Sequence, residues 1–209
     1  MNNLAYNSQK PEVVGPKVEE LIRKEIGAAD MIPFDVEDAQ GNHYSVGTAL
    51  GDVGRALFGG RVDLLFNLNF SLSQPRPARL IASVERMGPL GCYVGPLVYH
   101  TELSRPVSGE AALEAPKTFG SSKFVGEPSL VAKLNGNSDL VKRANKFAKT
   151  ESKIGGGTFK MERTFKLVPQ GDRALLVIAT LPRLTSMGFG AAVDAKDFFD
   201  IAALVDASL

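Results

Sequence analysis

The chain has 209 residues, a formal net charge of +1 and a charged fraction of 22%. A chain of this length fits one large or two small domains and buries roughly 70% of its unfolded surface, so it folds without a metal ion or a disulfide. Its single cysteine, Cys92, excludes an intrachain disulfide and favours reducing surroundings.

No apolar run approaches the ~20 residues of a membrane-spanning helix, and residues 1–15 lack the apolar segment of a secretory signal. We therefore expect a soluble, cytoplasmic protein.

The N-terminal region predicts a flexible polar arm over residues 1–15, followed by a helix. Pro16 suits the first turn of that helix, and Gly27 is placed to end it. Its apolar stripe consists of Val18, Leu21, Ile22 and Ile26. Beyond it, residues 31–36 and 43–46 predict a hairpin. The glycine-spaced residues 47–60 fit a bent strand, a loop or a helix equally well.

Residues 61–73 alternate between apolar and polar side chains, which predicts a half-buried β-strand. Asn67 and Asn69 fall on the polar side, which we expect to face water. Leu65 breaks the alternation, and the run is longer than most strands, so a bulge is expected near that residue. Two prolines end the strand, and residues 79–86 predict the returning strand.

The second half of the chain predicts helices and strands in separate groups. The helices span 128–134, 139–149 and 195–209, and the strands span 158–168 and 174–181. The strand over 174–181 is apolar throughout, as is typical of a central strand. Asp194 is a candidate N-cap for the last helix.

Because strands and helices are grouped rather than alternating, the expected class is α+β, with a mainly antiparallel sheet and three to four helices packed on it. We expect one domain over residues 16–209. A division into two subdomains, 16–104 and 119–209, joined by a polar loop at 105–118, stays open.

Residue patterns for catalysis are scarce. His43 and His100 are the two histidines, and neither has the spacing of a zinc ligand. Cys92 has no histidine or basic neighbour in sequence that would activate a thiolate. The glycines at 155–157 lead from a helix into a strand, whereas a phosphate-binding loop leads into a helix. The sequence predicts no catalytic residue, no metal site and no cofactor, and it leaves open whether the protein is an enzyme.

Positive charge is concentrated in residues 117–183, which contain thirteen Lys or Arg and five Asp or Glu, a net charge of +8. Within this segment, a predicted amphipathic helix carries a row of lysines, and the following strand adds lysines on its polar side. The candidate anion- or partner-binding residues are Lys142, Arg143, Lys146, Lys149, Lys153, Lys160 and Lys166. We expect them to form one basic surface around residues 142–166.

The leading functional hypothesis is therefore a non-catalytic binding protein that uses this basic surface. Its candidate partners are an acidic protein, a nucleic acid or an anionic lipid surface. One alternative is a small-ligand binder or an enzyme with a pocket between the sheet and the C-terminal helix. Another is a structural or assembly subunit that forms a homo-oligomer, in which the strand over 61–73 pairs edge to edge or presents Asn67 and Asn69 to another copy.

Overall fold

The protein is described here by a computed structural model. It describes residues 5–6, 11–27, 35–38, 62–87, 92–114, 121–148, 151–154, 157–160, 164–180, 183–184, 191–192 and 194–209. In these residues, four helices accompany a large antiparallel sheet. This arrangement confirms the predicted α+β class.

The described helices and strands alternate little along the chain. The helices are α1 (Pro11–Ile26), α2 (Pro128–Gly136), α3 (Ser138–Ala148) and α4 (Ala195–Ser208). The strands are β1 (Ala5–Tyr6), β2 (Asp35–Asp38), β3 (Val62–Leu72), β4 (Ala78–Met87), β5 (Cys92–Leu103), β6 (Ala111–Glu114), β7 (Lys123–Gly126), β8 (Glu151–Ile154), β9 (Gly157–Lys160), β10 (Thr164–Gln170), β11 (Arg173–Thr180), β12 (Arg183–Leu184) and β13 (Ala191–Ala192). None of these helices is long and apolar enough to cross a membrane.

Nine of the described strands form one sheet in the order β2–β3–β4–β5–β11–β10–β6–β7, with β1 paired to β5. The apolar strand β11 lies between β5 and β10, as predicted for a central strand. The segment predicted as one strand over 158–168 differs from the prediction. Its first part is β9, which pairs with β8 in a separate two-stranded sheet, and its last part is β10 of the main sheet.

The long strand β3 confirms that residues 61–73 contain a strand with an irregularity in its register. The pairing of β3 with β4 shifts register between Leu64 and Phe66, at the position where Leu65 interrupts the alternation. The predicted hairpin partner of residues 31–36 lies outside the described residues, as do residues 47–60. In the structure, β2 pairs with β3.

One face of the sheet, the helix face, packs against the helices. Phe70, Leu80, Tyr99, Ile178 and Phe165 form a register row on this face across five strands, and all five are buried. Tyr99 stacks on a phenylalanine of α4, Phe198, with ring centroids 4.8 Å apart. The interface between α4 and the sheet is therefore filled by apolar side chains.

Both ends of α1 show how local chemistry sets helix limits. The helix begins at Pro11 rather than at the predicted Pro16, which lies inside it, and Val14 is already buried. Proline fits a first helical turn because its missing N–H has no partner there. Gly27 ends the helix as predicted, with φ at +63° and its N–H bonded to the carbonyl of Arg23 at 2.9 Å.

Candidate functional site

The basic helix α3 has the amphipathic character that its sequence predicts. Leu140, Ala144 and Phe147 are buried in the core, whereas Lys142 and Lys146 are exposed. Neither lysine makes an ion pair within the described part of the chain. The two ammonium groups thus lie one helical turn apart on a solvated face.

Arg143, the third candidate on α3, is bound by acids of α4. Its Nη1 atom lies 2.7 Å from the carboxylate of Asp200 and 3.3 Å from that of Asp197. Lys196 also contacts Asp200, at 3.1 Å. Because α3 packs beside α4, the guanidinium joins these helices within a mixed-charge cluster. Its positive charge is largely balanced by these acids.

Lys166 lies on the opposite side of the sheet from α3. It is exposed between the buried Phe165 and Leu167, whose side chains belong to the helix face. Its register partners are Ala112 in β6 and Val177 in β11. Successive strand residues point to opposite faces, so Lys166 belongs to the second face of the sheet, opposite the helices.

The remaining candidates are spread over other segments. The backbones of Lys153 and Lys160 belong to the two-stranded sheet of β8 and β9, and Lys149 lies outside the described residues. The structure therefore brings Lys142 and Lys146 together on α3 and places Lys166 on a different surface. The alternation of apolar and polar residues along the chain could not reveal this separation, because the separation depends on which face of the sheet packs against the helices.

The second face contains an unexpected group of buried amides. Asn67 is fully buried and Asn69 is 7% exposed, so the prediction that both face water is wrong. Both lie on β3, and the register row of Asn69 continues through Ile81 in β4 and Val98 in β5, which are also buried. The second face is buried at this position, and a polar residue there is enclosed as an apolar one would be.

The buried amides of β3 lack hydrogen bonds. Both polar side-chain atoms of Asn67, Oδ1 and Nδ2, and the Oδ1 atom of Asn69 have no partner in the described structure. A buried polar atom without a partner costs about 1–3 kcal/mol of stability. Three such atoms on two neighbouring residues are unusual, because native proteins satisfy nearly all buried polar groups.

His100 lies on the same face, one register row from Val98. It is opposite Arg79 of β4 in the strand pairing. Burial lowers the pKa of His100, and the positive charge of Arg79 lowers it further. The imidazole is therefore neutral at pH 7, and it adds no positive charge to this part of the face.

Two other asparagines show how the fold satisfies such amides elsewhere. Asn135 of α2 accepts from the N–H of Phe124 at 3.1 Å and donates to the carbonyl of the same residue at 3.0 Å. Asn145 of α3 does the same for Ser122, accepting from its N–H and donating to its carbonyl at 3.2 Å. The two side chains bind backbone groups along the outer edge of β7, as a neighbouring strand would.

Sequence reasoning missed the burial of Asn67 and Asn69, because alternation looks the same for a solvated and a buried second face. The available signal was Ile81, an apolar residue on the corresponding side of the returning strand. Among the described residues, no group of three or more His, Cys, Asp or Glu is arranged to hold a metal ion. The chemistry available at Asn67 and Asn69 is hydrogen bonding.

The comparisons with known proteins identify no relatives. No protein-family model, no curated protein and no solved structure matches the chain. Functional proposals for this chain depend on its own residues and their geometry.

Proposed function

We propose that this chain is a non-catalytic, cytoplasmic binding protein that contacts an acidic protein segment through Lys142 and Lys146. The observation that supports this proposal is their exposure on one solvated face of α3, with no ion pair in the described chain. The opposite side of α3 is buried in the core, which anchors the backbone from which both lysines project. Two ammonium groups one turn apart suit carboxylates carried by a peptide or a protein surface.

The charges around α3 favour an acidic protein over a nucleic acid or a lipid surface. Asp139 shares the helix with the lysines, and Asp197 and Asp200 lie beside Arg143. Nucleic-acid binding usually neutralises several phosphates, whereas the exposed lysines of α3 are two, Lys142 and Lys146. In the described residues, the large hydrophobic side chains that are exposed are Val13 and Val125, neither of which can stack on a base. A protein partner can match charges of both signs on this surface, because charges across a protein contact are arranged complementarily.

A binding titration with poly-L-glutamate, at 20 mM and at 200 mM salt, tests the proposal. We expect binding at low salt that weakens at high salt. The double variant Lys142→Gln/Lys146→Gln should bind about 2- to 30-fold more weakly, because each exposed ion pair contributes about 0.2–1 kcal/mol. Single-stranded DNA and phosphatidylserine vesicles, titrated in parallel, should bind more weakly than poly-L-glutamate.

The matched control is Lys123→Gln/Lys166→Gln, which changes the net charge equally, from +1 to −1. Both control lysines are exposed on the second face of the sheet. The control variant should retain wild-type affinity. Equal losses in the two variants would show that only net charge matters, and a loss confined to the control would assign binding to the second face; either result contradicts the proposal.

A further inference from the structure

We propose that Asn67 and Asn69 bind a small, planar, uncharged ligand with adjacent hydrogen-bond donor and acceptor groups, as in a nucleobase or another cyclic amide. This site lies on the second face of the sheet, whereas the lysines of α3 lie on the helix side. It is therefore independent of the acidic-protein contact proposed above.

The arrangement of the two amides supports this ligand chemistry. Asn67 and Asn69 are two residues apart on one strand, so their Cα atoms are about 6.7 Å apart and their side chains share a face. Asn67 offers a donor, Nδ2, and an acceptor, Oδ1, and neither has a partner in the described structure. A planar edge with one donor beside one acceptor pairs with both atoms at once, as adenine does with asparagine in DNA recognition.

Apolar neighbours give the site a suitable surface for a ring. Ile81 and Val98 continue the register row of Asn69, and both are buried. Ligand sites commonly combine an apolar surface with a few convergent polar groups, and hydrogen bonds are stronger where water is excluded.

The charges of the neighbouring residues disfavour an anionic ligand. Asn67, Asn69, Ile81 and Val98 carry no charge, and the residues opposite Asn69 and Asn67 in β2 are acidic, Asp35 and Glu37. His100, in the next register row, has a pKa below its usual range and is neutral at pH 7. An anion that is buried beside acidic residues would lose its hydration without a favourable partner.

Burial decreases along β3 on the second face, which gives a direction of approach. Asn67 is fully buried, Asn69 is 7% exposed, and Ser71, the next residue of β3 on this face, is exposed. Across the strands, Ile81 and Val98 are buried between Asn69 and β11. A ligand therefore reaches the amides from the end of β3 that carries Ser71.

The main alternative is that ordered water binds these amides, since buried polar groups commonly bond to internal water. Solution NMR of the ¹⁵N-labelled full chain separates the two, because the side-chain NH₂ resonances of Asn67 and Asn69 report directly on the site. The probes are uracil and adenine for nucleobases, δ-valerolactam for simple cyclic amides, and orotate as an anionic analogue of uracil.

We expect at least one neutral probe to shift both NH₂ resonances saturably, with orotate at least tenfold weaker. Asn67→Leu should weaken binding of that probe at least tenfold, and Asn69→Leu provides the same test should the first variant not fold. Ser71→Ala is the matched control, because Ser71 is exposed on the same strand and face, and it should leave the affinity unchanged.

Three results would overturn the proposal. The first is the absence of a saturable shift with every neutral probe, together with water cross-peaks at the NH₂ groups; this would assign the amides to bound water. The second is binding of equal strength in the leucine variants, and the third is orotate binding as tightly as uracil. The wild-type titration decides the first of these without any variant.

Discussion

Two pairs of asparagines, one beside the sheet and one within it, use the same side-chain chemistry in opposite ways. Asn135 and Asn145 project from helices onto the edge strand β7, and their amides bond to the backbone of Phe124 and Ser122. Asn67 and Asn69 lie within β3, and three of their amide atoms are buried without a partner. The edge pair stabilises the fold, whereas the β3 pair opposes it.

This contrast distinguishes asparagines that stabilise the fold from asparagines that are available to bind a ligand. A satisfied amide at a sheet edge replaces a missing strand and protects the edge against another chain. A buried unsatisfied amide destabilises the protein unless something outside the described chain pairs with it. The two regions also differ in an ionisable group, Glu127 near β7 and His100 on the second face, and the pH dependence of stability can test this difference.

The largest effect is expected from Asn135→Ala/Asn145→Ala. The double variant loses four bonds to the backbone at the edge of β7. At 0.5–1.5 kcal/mol for each bond, its free energy of unfolding should fall by about 2–6 kcal/mol in a urea titration. The exposed edge should also promote self-association, which sedimentation velocity would detect.

The control for this variant is Lys142→Ala, an exposed change on α3 that should alter stability by no more than about 0.5 kcal/mol. A loss of similar size in both would mean that the edge asparagines contribute little. The statement that the edge pair stabilises the fold would then be wrong.

Asn67→Leu/Asn69→Leu should change stability in the opposite direction. Leucine has the same heavy-atom branching as asparagine, with a larger volume, and removes the unsatisfied atoms, so the free energy of unfolding should stay within about 0.5 kcal/mol of wild type or rise. Urea titration without added ligand measures it, and Asn135→Leu is the matched substitution that should destabilise. A loss above about 2 kcal/mol in the β3 variant would show that these amides have partners in solution.

Glu127 allows the β7 region to be tested by the loss of stability at low pH. As N-cap of α2, it accepts from the N–H groups of Leu130 and Ser129 and from the hydroxyls of Ser129 and Ser108. These bonds favour the charged carboxylate and lower the pKa of Glu127 from 4.5 to about 2, with the Leu130 N–H as the largest cause.

Because the folded pKa of Glu127 is below the unfolded value, its stabilisation is fully present above pH 4.5 and is lost as the pH falls towards 2. Glu127→Gln should therefore flatten the dependence of unfolding free energy on pH within that window. Glu110→Gln, at an exposed position of the neighbouring loop, is the control. An unchanged slope in Glu127→Gln would mean that the capping carboxylate is not bonded in solution.

Much of this fold could be predicted from local patterns. The bulge at Leu65, the stop at Gly27 and the central position of β11 all follow from chemistry within a few residues. Asp194 does occupy the N-cap of α4, but its side chain makes no capping bond. Instead, Glu25 of α1 accepts from the N–H of Ala195 at 2.8 Å, a contact between distant segments that periodicity cannot reveal.

The candidate site was harder to predict because it depends on which sheet face is covered. Alternation gives two faces for β3 and β10 but does not say what lies on each. Lys166 is exposed and Asn67 is buried, although both occupy the polar side of an alternating strand. The acids that bind Arg143 belong to a helix more than fifty residues away along the chain.

The smallest expected effect concerns His100, the ionisable counterpart of Glu127 on the second face. Burial and then the charge of Arg79 lower its pKa below 6.5, so the unfolded chain takes up a proton at a higher pH than the folded one. Stability contributed by the neutral imidazole is present above pH 6.5 and is lost as the pH falls below that value. His100→Gln should flatten the dependence of unfolding free energy on pH just below pH 6.5, whereas Glu127→Gln should change this dependence only below pH 4.5.

Arg79→Gln should raise the pKa of His100 measured by NMR titration, because it removes the positive charge that lowers this pKa in addition to burial. If His100→Gln and Glu127→Gln flattened the dependence of unfolding free energy on pH over the same pH range, the two regions could not be distinguished by their response to acid. The contrast between the satisfied sheet edge and the unsatisfied buried face would then lose its electrostatic support.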